Sequence, residues 1–140
     1  MSNVLSRKRS LSELEFWKNA TEVRAAFVRY LMNEKHVPKR WRPVFTFPGV
    51  EYALKMMEEI TAANTIYPTS EEEVAQRRAH QNEAIVACEL ILMHIQFMID
   101  TLDGVHVSDF ENLGEMIFKE VALLKAWRKQ NKVLTQKRDK

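Results

Sequence analysis

The chemically suggestive residues in this chain are cations set beside indoles. Lys35-His36-Val37-Pro38-Lys39-Arg40-Trp41-Arg42-Pro43 gathers Lys39, Arg40 and Arg42 around Trp41, between two prolines that rule out a continuous helix. Near the other end of the chain Trp127 precedes Arg128, Lys129 and Lys132, which fall within about one helical turn of each other. Lysine and arginine neutralise phosphates and an indole stacks on a base, so both groups have the parts of a nucleic-acid contact. The plainer reading is that Trp41 plugs the end of a helical core while the cations are solvated. A further pair, Arg77 and Arg78, lies near the start of a long helical pattern, where Arg78 and Gln81 occupy positions that the spacing assigns to apolar residues. Such residues either lie beyond the neighbouring helices, form subunit contacts, or face a nucleic acid.

Catalytic chemistry fails on inventory. His36, His80, His94 and His106 are far apart in sequence, and none makes the Glu-x-x-His or His-x-x-x-His spacing of a bundle metal site. There is no glycine-rich phosphate loop and no nucleophile elbow. Cys88 has no neighbouring histidine, and Glu58, Glu59, Glu83 and Glu89 are expected on exposed helix faces. The expectation is a protein that is not an enzyme and needs no metal or cofactor.

Charge is distributed unevenly. Residues 1–42 carry ten Lys/Arg and four acids, residues 125–140 carry seven and one, and residues 43–124 carry four and fourteen. This segregation suggests that the basic ends gather on one surface, which would attract a polyanion or an acidic patch on a neighbouring subunit.

The elements that must position these residues are helices. Three glycines, four prolines and 46% apolar residues in 140 describe one nearly all-helical domain with a real core. The longest pattern runs from Thr69 to Leu102, roughly 50 Å of helix. Its expected cap is Thr69 with Glu72, and its expected stripe is Val74, Arg78, Gln81, Ile85, Cys88, Leu92, Ile95, Ile99 and Leu102. Cys88 on that stripe reads as a small buried hydrophobe. A first helix is expected from Ser12 to Lys35, capped through Ser10–Glu13, with Leu14, Trp17, Ala20, Phe27, Tyr30 and Leu31 inward and Phe16 and Val23 widening that face. A second is expected after Phe47-Pro48, carrying Val50, Ala53, Leu54, Met57, Ile60 and Thr61, and ending at Pro68. The fourth follows a Ser108–Glu111 capping box, with Phe110, Leu113, Ile117, Val121 and Leu124 inward and Gly114 open to a close helix approach. The expected organisation is a disordered basic arm over 1–11 containing Arg7-Lys8-Arg9, a bundle over 12–131, and a basic tail over 132–140. No signal peptide and no run of membrane-spanning length is discerned, so a soluble, cytoplasmic protein without a membrane role is expected.

Several of these segments, in order, resemble the Avd family, the accessory variability determinants of diversity-generating retroelements. The similarity begins with Pro38-Lys39-Arg40-Trp41-Arg42-Pro43-Val44-Phe45-Thr46-Phe47, continues through Ala53-Leu54, Glu58-Glu59-Ile60 and Ala62-Ala63, and takes in Arg77 or Arg78. It closes on Leu124-Lys125-Ala126-Trp127-Arg128-Lys129-Gln130, where Ala126 stands in place of a common glycine. The resemblance implies an all-α, up-down-up-down four-helix bundle forming a homopentamer. It also implies a non-catalytic accessory subunit, bacterial or phage-encoded, whose partners are a reverse transcriptase, template RNA and cDNA. On that reading the nucleic-acid contacts are Lys39, Arg40, Trp41, Arg42, Arg77, Arg78, Arg128, Lys129 and Lys132. The alternative is a structural or adaptor bundle that acts through protein surfaces only.

Overall fold

The computed structural model describes residues 14–134. The Arg7-Lys8-Arg9 arm, the Ser10–Glu13 cap and the tail beyond Leu134 lie outside the described residues. Within them the chain is all-helical, with four α-helices: α1 Glu15–Leu31, α2 Thr46–Thr65, α3 Glu71–Thr101 and α4 Glu111–Lys129. Short 3-10 turns at Lys39–Trp41 and Val107–Phe110 punctuate the first and third connections. Helix α1 packs on α2 and α4, and α3 packs on the same two.

Each helix buries the face its spacing provides. In α1 this is Phe16, Ala20, Val23, Phe27 and Leu31, at steps of four and three, with Trp17 and Tyr30 at the margin and Leu14 exposed. In α2 it is Ala53, Met56, Met57, Ile60 and Ala63. In α4 the expected Leu113, Ile117, Val121 and Leu124 are buried, and Phe110 just ahead of them, but Glu120 shares their face and is fully enclosed. Ion pairs hold the helices in register: Lys55–Glu83 (3.1 Å) and His80–Glu59 (2.7 Å) across α2 and α3, and Lys119–Glu15 (2.9 Å) across α4 and α1.

The stripe expected on α3 faces the core from Gln81 onward: Gln81, Ile85, Cys88, Ile95 and Leu102 are buried and Leu92 and Ile99 pack at the margin, whereas Arg78 is exposed. The buried face is wider than expected and also takes in Ala84, Ala87, Ile91, His94 and Met98, because few polar residues interrupt the second half of the helix. Val86, Met93 and Phe97 form an outer line left largely exposed by the described residues, with one side of Phe97 against Phe45. The same property corrects the expectation about membrane-length runs: α3 is long and apolar enough to cross a bilayer by length and composition, and here it packs as a partly buried core helix. Its start also moves by one residue. Ser70, not Thr69, is the N-cap and accepts from the Glu73 N–H (3.2 Å), while the Thr69 N–H donates back to Glu73 (2.8 Å).

Connections meet in two groups. The α1–α2 connection meets the α3–α4 connection, where His36 Nδ1 lies 2.9 Å from the Gly104 carbonyl and the Tyr30 hydroxyl donates to Asp109 (2.6 Å). The α2–α3 connection instead meets the segment after α4, where the Leu134 N–H donates to the Pro68 carbonyl (2.8 Å). The expected Ser108–Glu111 box is replaced by one between His106 and Asp109, which opens the 3-10 turn before α4.

Glycines separate by what surrounds them. A Cβ on Gly49 would come within 2.6 Å of Leu31 Cδ1, so α2 can only approach α1 this closely without one. At Gly114 a Cβ meets nothing, and no helix approaches it. Gly114→Ala should therefore raise unfolding stability by about 0.5–1 kcal/mol through helix propensity alone. Chemical denaturation checks this, and a loss of stability would mean that a partner molecule covers the site.

Candidate nucleic-acid interface

The first cation group sits on a loop pinned to the core at three points. Val37 and Phe45 are fully buried, the Phe45 carbonyl lies 2.7 Å from His94 Nε2, and His36 stacks on Tyr30 with ring centroids 4.0 Å apart. Burial pushes the His94 imidazole below its ordinary value, so it stays neutral while it holds the loop. Between these pins the 3-10 turn Lys39–Trp41 carries the basic residues outward. Trp41 is half-buried and packs against Phe45 at 5.8 Å, and the Arg40 guanidinium lies 6.0 Å from its ring centroid. The indole thus acts mainly as the plug that the plainer reading expects, with one side bordering a cavity of about 180 Å3 between Arg40 and Leu102–Gly104.

A carboxylate tempers this group. Lys39 (3.7 Å) and Arg42 (3.6 Å) both lie near Glu34, an exposed acid that sequence reasoning passed over. Both distances are long for charge-assisted hydrogen bonds, and Lys39 and Glu34 are solvated while Arg42 is half-buried with its Nε unpartnered, so a phosphate could displace Glu34 from Lys39 at small cost. Arg40 makes no ion pair among the described residues.

The second group lies around the end of α4 and the start of α3. Arg128 donates to Asn82 (2.8 Å), and Lys129 and Lys132 are exposed, as is Arg78. Trp127 is buried and stacks on Phe16 at 4.1 Å, so it cannot also stack on a base. Arg77 is half-buried, with its guanidinium 5.3 Å from the Trp127 ring. Gln81 is fully buried and pairs with Asn131 (2.6 Å), which holds the end of α4 against α3 and accounts for an amide on an apolar face.

The two groups do not come together. Arg77 belongs to the Pro68 end of the molecule and Lys39–Arg42 to the Gly104 end, separated by the stretch of α3 from Arg77 to Thr101, about 36 Å at 1.5 Å per residue. The single basic surface suggested by charge segregation is therefore corrected to two patches, one at each end. Arg128, Lys129 and Lys132 do share the second patch with Arg77.

Two polar clusters lie outside the expected set. Tyr30, His36, His106 and Asp109 converge beside the first patch although they span 79 residues of sequence. The hydrogen bond from Tyr30 holds the Asp109 carboxyl below its usual range. In the core, Asn19 donates to Glu120 Oε1 (3.1 Å) and to the Met116 carbonyl (2.8 Å), while Glu120 Oε2 has no partner. Burial pushes this carboxyl up to about 8, and burial together with Glu120 pushes the Cys88 thiol up to about 12. Only the polar residue at position 120, in phase with an apolar face, signals this cluster in the sequence.

Taken together, these features make the chain an all-helical protein with cations concentrated at two ends. Compared with known proteins, it matches no family model, no curated protein and no solved structure.

Proposed function

We propose that this chain is a non-catalytic accessory subunit of a diversity-generating retroelement, cytoplasmic in a bacterium or phage-infected cell, which binds template RNA or cDNA and the element's reverse transcriptase. On this reading the helices form an up-down-up-down four-helix bundle and the bundles assemble into a homopentamer. The observation that carries the nucleic-acid part is the gathering of Arg40 at one end, and of Arg77, Arg78, Arg128, Lys129 and Lys132 at the other, without a carboxylate partner among the described residues, a lack they share with Lys18, Arg24, Arg29, Lys35 and Lys125. Neutralised phosphates at the two ends would position a template, with no chemistry asked of the protein. Self-association is supported by the exposed line Val86, Met93 and Phe97, and by charge. Helices α2 and α3 carry nine carboxylates and three Lys/Arg, whereas α1 and α4 carry seven Lys/Arg and five carboxylates. An unlike pair of faces suits a head-to-tail contact, the kind that closes into a ring.

The test is a polarisation titration with a mixed-sequence RNA at two salt concentrations, with light scattering on the same sample. Lys39→Ala, Arg40→Ala and Arg42→Ala combined should weaken binding at low salt by roughly tenfold or more. They should also flatten the slope of log affinity against log salt by about 2, at roughly 0.7 per contact. Unchanged affinity with intact helicity removes the loop from the interface. The same exposed line favours the second reading, an adaptor bundle that works through protein contacts alone. That reading stands if the protein ignores RNA at low salt while still assembling.

A further inference from the structure

Arg77 is the least compensated cation in the described structure. Its Nε is buried without a hydrogen-bond acceptor, and no carboxylate lies in ion-pair range among the described residues. Burial pushes the guanidinium below its ordinary value, as expected for a half-buried charge with no counter-ion among the described residues. The indole face of Trp127, 5.3 Å away, supplies part of the missing stabilisation but accepts no hydrogen bond in the ring plane of the guanidinium.

Beside Arg77 lies a cavity of about 130 Å3, lined by Pro68, Trp127, Asn131, Lys132 and Leu134 among others, with no acid in its wall among the described residues. Its construction is tied at two points. The Leu134 N–H bonds the Pro68 carbonyl and closes one side as a strap, and the Gln81–Asn131 pair fixes the turn that forms another. Exposed Lys132 stands at the rim. The walls thus combine a rigid donor fork, a mobile ammonium and an apolar backing.

We propose that this cavity receives a terminal phosphate monoester at the end of a nucleic-acid strand, with Arg77 donating to its oxygens and Lys132 closing over it. A guanidinium fork meets two phosphate oxygens at once, and a monoester offers three oxygens and more than one negative charge. An internal phosphodiester carries a sugar on both sides and would need a groove open at two ends, which the strap between Leu134 and Pro68 obstructs. This inference rests on the nucleic-acid reading above for the source of the phosphate, but not for the existence of the anion site.

One short single-stranded RNA, prepared with a 5′-phosphate, a 3′-phosphate or hydroxyls only, tests it by polarisation with the full chain. The phosphorylated forms should bind about tenfold tighter than the hydroxyl form, as one added charge-assisted contact implies. Arg77→Gln should erase that preference, so that the phosphorylated and hydroxyl forms bind the variant alike whatever the affinity common to them. Lys132→Gln, on the exposed rim where folding is not at stake, should reduce the preference about threefold. Equal affinity for all three forms overturns the proposal. If no RNA binds, inorganic phosphate alone decides. Millimolar phosphate that raises the thermal midpoint of the wild-type chain and not of Arg77→Gln keeps the anion site while the nucleic-acid reading falls, and no difference between the two ends the proposal as well.

Discussion

Replacing Glu120 by glutamine should raise the thermal unfolding midpoint above neutral pH by on the order of 10 °C, and should flatten its dependence on pH. The sign follows from where the proton prefers to be. In the fold the carboxyl is pushed up to about 8 from an ordinary 4.5, so the native state holds a proton that the unfolded chain releases. Below pH 4.5 both states are protonated and folding gains nothing or loses nothing through this group. As pH rises toward 8 the unfolded state alone gives up its proton, and stability falls by about 1.4 kcal/mol per unit, levelling off once the folded carboxyl also ionises. The full gap corresponds to about 5 kcal/mol, large against the total stability of a domain this size. Glutamine keeps the acceptor that Asn19 uses and presents an amide where Oε2 already has no partner, so it imitates the protonated acid. Parallel pH curves for wild type and Glu120→Gln would mean that the carboxyl is ionised and hydrated in the core.

Gly104→Ala should lower stability by about 3 kcal/mol and loosen the basic loop at the same time. An added Cβ would run into the Lys35 carbonyl, a backbone atom with no rotamer to escape through. The Gly104 carbonyl also faces His36 Nδ1, so the clash pulls apart the contact that seats the α1–α2 connection on the α3–α4 connection. Hydrogen exchange should show the loss of protection concentrated at residues 33–45 and 102–110, with the Pro68 end little changed. A uniform loss across all four helices would mean that the seat belongs to the global core. Unchanged stability would mean that the two connections are free to separate.

The faces of α1 and α4 could be read from the sequence because charged residues alternate with apolar ones there and select one phase. On α3 the direction of the stripe was legible but its width was not, because Ala84, Ala87, Ile91 and Met98 lie inward beside it and only the neighbouring helices set how far the buried face extends. Its cap was misplaced by one residue because Thr69-Ser70 offers two hydroxyls and Glu71-Glu72-Glu73 offers a carboxylate at every position. The candidate cations were found by residue type, but their grouping was not. Antiparallel helices send the α1–α2 loop and the end of α4 to opposite ends, so the expected topology and the expected single basic surface could not both hold. Pairing was hidden altogether: nothing near Arg42 in sequence indicates that Glu34 turns toward it, or that Trp127 is occupied by Phe16. Glu120 stands in phase with Ile117 and Leu124 in the sequence, but nothing there indicates that Asn19 is its partner.

Cys88 is the chain's only thiol and lies fully buried in α3 against the core carboxyl. A thiol reagent meets a protonated sulfur it cannot reach, so the folded chain is silent toward it. Every molecule that separates α3 from its neighbours exposes an ordinary cysteine for as long as the gap lasts. The rate of labelling therefore counts openings, and the protein carries a chemical clock for its own breathing that needs no engineered probe.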